Sequence, residues 1–121
     1  EIARQIMDFF PKDGNSIFAG KFWPGVFCDI ENTLLKADGT VNQEVLDLLN
    51  KEAQAGKPIT LWTGGDIQKL QKALLEKGII WKVLSKYDFA GAEVELAIDD
   101  ERPTAIRDKY RIKARMFKKI I

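Results

Sequence analysis

The sequence predicts an α/β protein in which helices cover both faces of a central parallel β-sheet. Apolar runs over residues 25–28, 58–62 and 94–98 have the length and composition of buried strands. Segments with one apolar helical face lie between these runs, and strands that alternate with helices favour parallel pairing. We therefore expect a single domain over residues 1–121, with a hydrophobic share of 45% that suits a globular core.

The first predicted element is a helix over residues 1–10, whose apolar side chains fall on one face before Pro11 ends it. We expect residues 1–20 to form this helix and a loop that pack on the sheet. Docking to a partner or dimer formation through the same face is the alternative.

Helix signals also separate the strands. Asn42 is expected to cap a helix that ends before Gly56, and Asp66 to cap a second helix that ends at Gly78. Residues 79–84 are a further strand candidate. Pro103 suits the first turn of a short helix after the last buried run.

The C-terminal segment, residues 109–121, is basic. It contains six basic residues and no acidic one, so the rest of the chain carries −5 of the total charge of +1. Charged and mostly apolar residues alternate from 109 to 116, which is typical of a half-buried strand. We predict a basic edge strand or tail, whose charges oppose edge-to-edge pairing. Binding of nucleic acid or another acidic partner is the alternative, although the basic face has no aromatic residue on which bases would stack.

Composition excludes several classes of site. No apolar stretch approaches the ~18 residues of a membrane span, so we expect no membrane association. The single cysteine, Cys28, cannot form an internal disulfide, which agrees with a cytoplasmic location. The chain has no histidine, so a Cys-His nucleophile and histidine-ligated zinc are both excluded.

Polar residues stand where three predicted strands end. Asp29 and Glu31 follow the first run, Thr63 follows the second, and Asp99 and Asp100 follow the third. In open parallel sheets ligands bind at this edge. Acidic groups two residues apart along a strand point the same way, so one can act as nucleophile or metal ligand and the other as proton carrier. The alternative is that these residues are ordinary turn and cap residues.

This order of Asp-x-acid-x-Thr, strand-Thr, Lys and strand-Asp-Asp resembles the four motifs of the haloacid dehalogenase-like (HAD) hydrolases, which are mostly magnesium-dependent phosphatases. The resemblance spans residues 26–100 and implies a three-layer Rossmann-like fold in which the strand of Asp29 is central. The motifs leave no room for a cap domain. An open site would admit large substrates, such as phosphoproteins or nucleic-acid ends, unless a neighbouring subunit of an oligomer covers it.

By the same resemblance the reaction would be hydrolysis of a phosphate monoester through an aspartyl phosphate. Asp29 would be the nucleophile and Glu31 the proton carrier. The Thr63 hydroxyl and the Gly64 amide would bind phosphoryl oxygens, and Lys86 would balance the negative charge of the transition state. Lys77 and Lys82 compete with Lys86 for that role, but Lys86 alone is expected to follow a strand at the active edge.

The resemblance also implies a Mg²⁺ cofactor. Its ligands would be the Asp29 carboxylate, the Glu31 backbone carbonyl and the Asp99 carboxylate, with Asp100 adjacent or acting through a water. An all-oxygen set of this kind suits Mg²⁺.

One position departs from the family pattern. The second acidic residue is usually Asp, and Glu31 is longer by one methylene, which displaces the carboxylate by about 1 Å, a scale on which rates can fall ~100-fold. The alternative function is therefore a catalytically weak or inactive domain that acts as a binding or interaction module.

Overall fold

The computed structural model describes residues 20–120, which form a five-stranded parallel sheet flanked by helices. The α/β architecture predicted from the sequence is confirmed. The helix predicted over residues 1–10 lies outside the described residues. The strands are β1 (Phe22–Asp29), β2 (Ile59–Thr63), β3 (Val83–Ser85), β4 (Glu93–Asp99) and β5 (Lys113–Lys119), and the helices are α1 (Gln43–Gln54), α2 (Ile67–Glu76) and α3 (Pro103–Tyr110), with a short 3₁₀ helix at Lys86–Phe89.

Strand β1 occupies the centre of the sheet, whose order is β3-β2-β1-β4-β5. Its second half is buried on both faces because side chains of a strand alternate between them. Cys28 belongs to an aliphatic core against α1 and α2, whereas Phe27 belongs to an aromatic core against α3. The aromatic core also contains Trp62 and Phe89, whose rings lie 5.0 and 5.3 Å from Phe27.

The register of the sheet aligns the carboxyl ends of four strands. Asp29 pairs with Trp62, the residue before Thr63, and Cys28 pairs with Ile98, the residue before Asp99. Thr63 in turn pairs with Ser85 of β3. The polar residues that the sequence places after separate strands therefore meet at one edge.

Two local predictions were wrong or incomplete. The strand candidate over residues 79–84 contributes only Val83 and Leu84 to β3, because Ile79 is buried against the end of α2 while Ile80 is 79% exposed in the connection. Asn42 precedes α1 without a side-chain capping bond, whereas the Asp66 carboxylate does cap α2 by accepting from the Lys69 amide at 3.1 Å.

The basic C-terminal segment begins in a helix and continues as an edge strand. Lys109 and Tyr110 end α3, Arg111 adopts a left-handed cap with φ 61°, and β5 pairs with β4 alone. The period-two alternation therefore begins four residues before the strand itself, within the last turn of α3. In the part of the chain that the structure describes, no helix is long and apolar enough to cross a membrane.

Candidate active site

An open pocket of about 330 Å³ lies over the carboxyl ends of β1 and β2. The polar strand ends meet at this pocket. Asp99 is buried and does not line it, but forms an ion pair with the pocket residue Lys86. The residues that line the pocket are Asp29, Glu31, Asn32, Thr63, Gly64, Gly65, Lys86, Tyr87, Asp100, Glu101, Lys109 and Tyr110.

The turn after β1 fixes the orientation of the acidic pair. Ile30 and Leu34 are fully buried and anchor the turn in the aliphatic core, so Glu31 projects outward. Asn32 takes a left-handed conformation with φ 62°, which asparagine tolerates better than most residues. The apolar pattern of this turn therefore sends Glu31 into the pocket while Asp29 stays at its floor.

The Lys86 ammonium bridges two buried carboxylates. Its Nζ lies 2.9 Å from Asp29 Oδ1 and 3.0 Å from Asp99 Oδ2, and its side chain is only 6% exposed. Lys86 begins the 3₁₀ helix after β3, which the Ser85 hydroxyl caps by accepting from the Tyr87 amide at 3.2 Å. Of the three lysines considered from the sequence, the structure brings Lys86 into the pocket and leaves Lys77 and Lys82 outside it.

Burial and charge shift the pKa values of this triad. Burial raises the pKa of Asp29 to about 7, against the opposing attraction of Lys86. Burial likewise raises the pKa of Asp99. Burial alone would lower the pKa of Lys86, but the attraction of Asp29 and Asp99 outweighs it and raises that pKa. Lys86 therefore stays positively charged. One ammonium group does not neutralise both carboxylates when they are ionised.

A third carboxylate joins the triad and completes a possible cation site. Oxygens of Asp29, Asp99 and Asp100 lie within 4.8 Å of one another. Three ionised carboxylates and one ammonium leave a formal charge of −2, which one divalent cation would neutralise. Carboxylate oxygens at this spacing are the hard donors that Mg²⁺ prefers, so the residues present fit the ion.

The Thr33 hydroxyl, for which no role was predicted, contacts two of these carboxylates. It lies 3.0 Å from Asp29 Oδ2 and 3.3 Å from Asp100 Oδ1 and is fully buried. A hydroxyl has one proton, so it donates to one carboxylate at a time, with the shorter contact to Asp29. Thr33 orients the acidic cluster. The Thr in the Asp-x-acid-x-Thr segment was the available signal.

Thr63 and Glu31 meet across the pocket. The Thr63 hydroxyl accepts from the Gly65 amide at 2.9 Å and donates to Glu31 Oε1 at 3.3 Å. The Glu31 carboxylate therefore lies above the strand-end loop that is expected to hold phosphoryl oxygens. A Cβ placed on Gly65 would come within 3.1 Å of Glu31 Oε1, so a side chain there would press on the Glu31 carboxylate.

The sequence also missed one wall of the pocket. Tyr110 and Lys109 at the end of α3, and Tyr87 in the 3₁₀ helix, also line it. The Tyr87 and Tyr110 rings meet edge to face with centroids 5.0 Å apart. No motif indicates Lys109 and Tyr110, because they end a short helix ten and eleven residues beyond Asp99, and their side chains return to the edge from there.

The fold and the pocket together define an α/β protein with a site at the carboxyl edge of its parallel sheet, where acidic residues from two neighbouring strands surround one lysine. The family model of the haloacid dehalogenase-like hydrolases matches residues 26–121, and the chain belongs to that family. No curated protein and no solved structure matches the chain.

Proposed function

We propose that the protein is a magnesium-dependent phosphohydrolase that cleaves phosphate monoesters through an aspartyl phosphate on Asp29. The observation that carries this proposal is the convergence of the Asp29, Asp99 and Asp100 carboxylates with Thr63 and Lys86 at one open pocket. Membership of the hydrolase family agrees with it.

Mg²⁺ would be held by Asp29, Asp99 and Asp100, together with the Glu31 backbone carbonyl, and when bound it would neutralise charge on the phosphoryl oxygens. The dianionic substrate would otherwise meet the net negative charge of the cluster. Asp29 is the group best placed for attack, since it forms the pocket floor and one of its oxygens is held by Thr33.

Each remaining residue has a distinct task in this reaction. Asp29 attacks phosphorus in line as the ester oxygen departs, and a water later hydrolyses the aspartyl phosphate. Glu31 protonates the departing oxygen and then takes the proton of that water. The Thr63 hydroxyl and the Gly64 amide bind non-bridging oxygens, and Lys86 stabilises the charge of the transition state.

The open pocket is compatible with substrates larger than a metabolite. Within residues 20–120 the connections near the site are short, and none of them forms a further domain over it. We assign the substrate class as phosphate monoesters, small or carried on a macromolecule.

A second function is favoured by the contact between Thr63 and Glu31. Because the Glu31 carboxylate lies over the loop that would hold the phosphate, it competes with the substrate for the Thr63 hydroxyl. A domain that binds metal and a partner without turnover would retain the same cluster.

Metal-dependent assays on a panel of phosphate esters test the proposal. We expect turnover that requires Mg²⁺ and is abolished in Asp29→Asn, because an amide cannot serve as the nucleophile. Asp47→Asn, on the exposed side of α1, is the matched control and should retain full activity. Equal turnover by the Asp29 variant and its control would exclude the aspartyl-phosphate mechanism.

The same assay separates the two functions through Glu31. Glu31→Asp should raise turnover, since the shorter side chain leaves the Thr63 hydroxyl to the substrate, whereas Glu31→Gln should suppress proton transfer. Both variants should bind Mg²⁺ as the native chain does, because only the backbone carbonyl of residue 31 is assigned to the metal. A native chain and a Glu31→Asp variant that are both inactive would favour the binding module.

A further inference from the structure

The end of α3 forms a wall of the pocket to which the proposed reaction gives no task. Tyr110, the last residue of α3, is 7% exposed, and its ring belongs to the aromatic core. Its hydroxyl lies against Gly64, because a Cβ placed on Gly64 would collide with Tyr110 Oη. The hydroxyl therefore lies beside the loop that is proposed to bind phosphoryl oxygens.

The direction of α3 explains how a residue at its far end reaches the site. The helix starts at Pro103, just beyond the carboxyl end of β4, and helical side chains lean toward the N-terminus of their helix. A long side chain in the last turn consequently points back toward the pocket. The ring of Tyr110 is held by Tyr87 on one side and by the Lys86 ammonium, 5.1 Å from its centroid.

Lys109 adds a positive charge on the same wall. Its Nζ lies 5.3 Å from the Tyr110 ring centroid. A hydrogen bond with the Tyr110 hydroxyl raises the pKa of Lys109. Lys86 is committed to two carboxylates, whereas Lys109 makes no salt bridge to any residue between 20 and 120. Lys109 is thus the pocket cation that is available to an incoming anion.

We infer that the Tyr110 hydroxyl donates a hydrogen bond to a non-bridging phosphoryl oxygen held at Gly64, and that Lys109 supplies positive charge to the same group. The ligand class, a phosphate dianion, rests on the proposed function. The contact itself rests on the position of the hydroxyl. If Tyr110 served only the aromatic core, phenylalanine would replace it without effect on anion binding.

The test is the affinity of the Mg²⁺-loaded protein for inorganic phosphate, measured by calorimetry in the native chain and in Tyr110→Phe. Phenylalanine keeps the ring and removes only the hydroxyl. Loss of one hydrogen bond to a charged group should weaken phosphate binding about tenfold or more. The KM for a phosphate ester such as para-nitrophenyl phosphate should rise by a similar factor.

Two further variants make the result decisive. Tyr87→Phe removes the same hydroxyl from a ring at the exposed rim and should weaken phosphate binding much less than Tyr110→Phe does. Lys109→Gln should weaken binding at low salt, and the difference from the native chain should shrink as salt is added. Lys109 is exposed, so its variant remains informative if Tyr110→Phe fails to fold.

Unchanged phosphate affinity in Tyr110→Phe would overturn the inference, as would failure of the native chain to bind phosphate. If Tyr110→Phe does not fold, unchanged affinity in Lys109→Gln would overturn it instead. A third outcome separates the two proposals. If the native chain hydrolyses no ester but binds phosphate more tightly than these variants do, the proposed reaction is refuted and the anion contact is supported.

Discussion

Strand β4 carries two lysine-paired carboxylates in opposite settings. Near the amino ends of the strands, Lys57 Nζ lies 2.5 Å from Glu95 Oε2, with side-chain exposures of 43% and 21%. At the carboxyl edge, Lys86 bonds to Asp99 with side-chain exposures of 6% and 1%. Exposed pairs form at little cost in water, whereas buried pairs must offset a large desolvation penalty. Burial, rather than pairing, distinguishes the candidate active site.

The exposed pair has an architectural task instead. Glu95 Oε1 accepts from the Gly25 amide at 2.7 Å, where β1 shifts its register against β4. Gly25 has φ 98°, and a Cβ there would collide with the backbone oxygen of Pro58. Glu95 therefore holds β1 at Gly25, where the strand approaches Pro58 so closely that only glycine fits.

The largest contrast is expected when each lysine is removed. Lys86→Met leaves two buried carboxylates facing each other, and loss of one partner from a buried ion pair costs about 3 kcal/mol or more. Lys57→Met should have a small effect that salt diminishes further. Urea unfolding in the presence of a chelator measures both. Equal destabilisation would show that burial does not separate the pairs, and Lys86→Met should in addition lose turnover.

The second contrast concerns the carboxylates and the metal. Asp99→Ala removes a ligand from the acidic cluster and should weaken Mg²⁺ binding ~100-fold or abolish it, whereas Glu95→Ala, four residues earlier on the same strand, should bind Mg²⁺ as the native chain does. Calorimetry on the folded variants gives both affinities. A ligand that binds the native state stabilises that state. Of these two variants, only Glu95→Ala should therefore unfold at a higher temperature when Mg²⁺ is added. Equal binding by the two variants would remove Asp99 from the site.

The third contrast concerns the sign of the pH dependence of stability. In the metal-free protein burial raises the pKa of Asp29 from 3.8 to about 7, so the folded state retains a proton that the unfolded state has released, and stability is lost as pH rises through this window. The hydrogen bond from Lys57 lowers the pKa of Glu95, so its contribution is lost as pH falls through the lowered value.

Urea midpoints measured from about pH 3 to about pH 8 would separate the contribution of Asp29 from that of Glu95. Asp29→Asn should flatten the decline toward neutral pH, and Glu95→Gln should not. Added Mg²⁺ should stabilise the native chain more at pH 7.5 than at pH 5, because the metal binds ionised carboxylates. If the loss of stability toward neutral pH is unchanged in Asp29→Asn, another titrating group causes it.

Much of the sheet was predictable because its central strands are continuous apolar runs that end in polar residues. Asp29, Thr63 and Asp99 could be placed at one edge from the sequence, since parallel strands share that edge. Residues 79–82 misled the assignment, because apolar side chains that close a helix end look locally like a strand. Their burial depends on α2, which a short window does not reveal.

The wall formed by α3 was not predictable for a related reason. The alternation from Lys109 onward is also that of a strand, and nothing local shows that Tyr110 ends a helix and that its side chain returns to the pocket. The contacts of Thr33 and Glu31 depend on distances between side chains, which spacing along the chain does not determine. The proposed roles of the site residues await the experiments above.

Trp62 gives the protein an intrinsic optical reporter. It lies fully buried in the aromatic core immediately before Thr63, and within residues 20–120 its indole N–H has no hydrogen-bond partner. An indole in such dry surroundings should emit at short wavelength and respond to small movements of the neighbouring rings. Titration with Mg²⁺ or phosphate can therefore be followed by tryptophan fluorescence, with the background supplied by Trp23, at the edge of the same core, and by Trp81. Neither of these two residues lines the pocket.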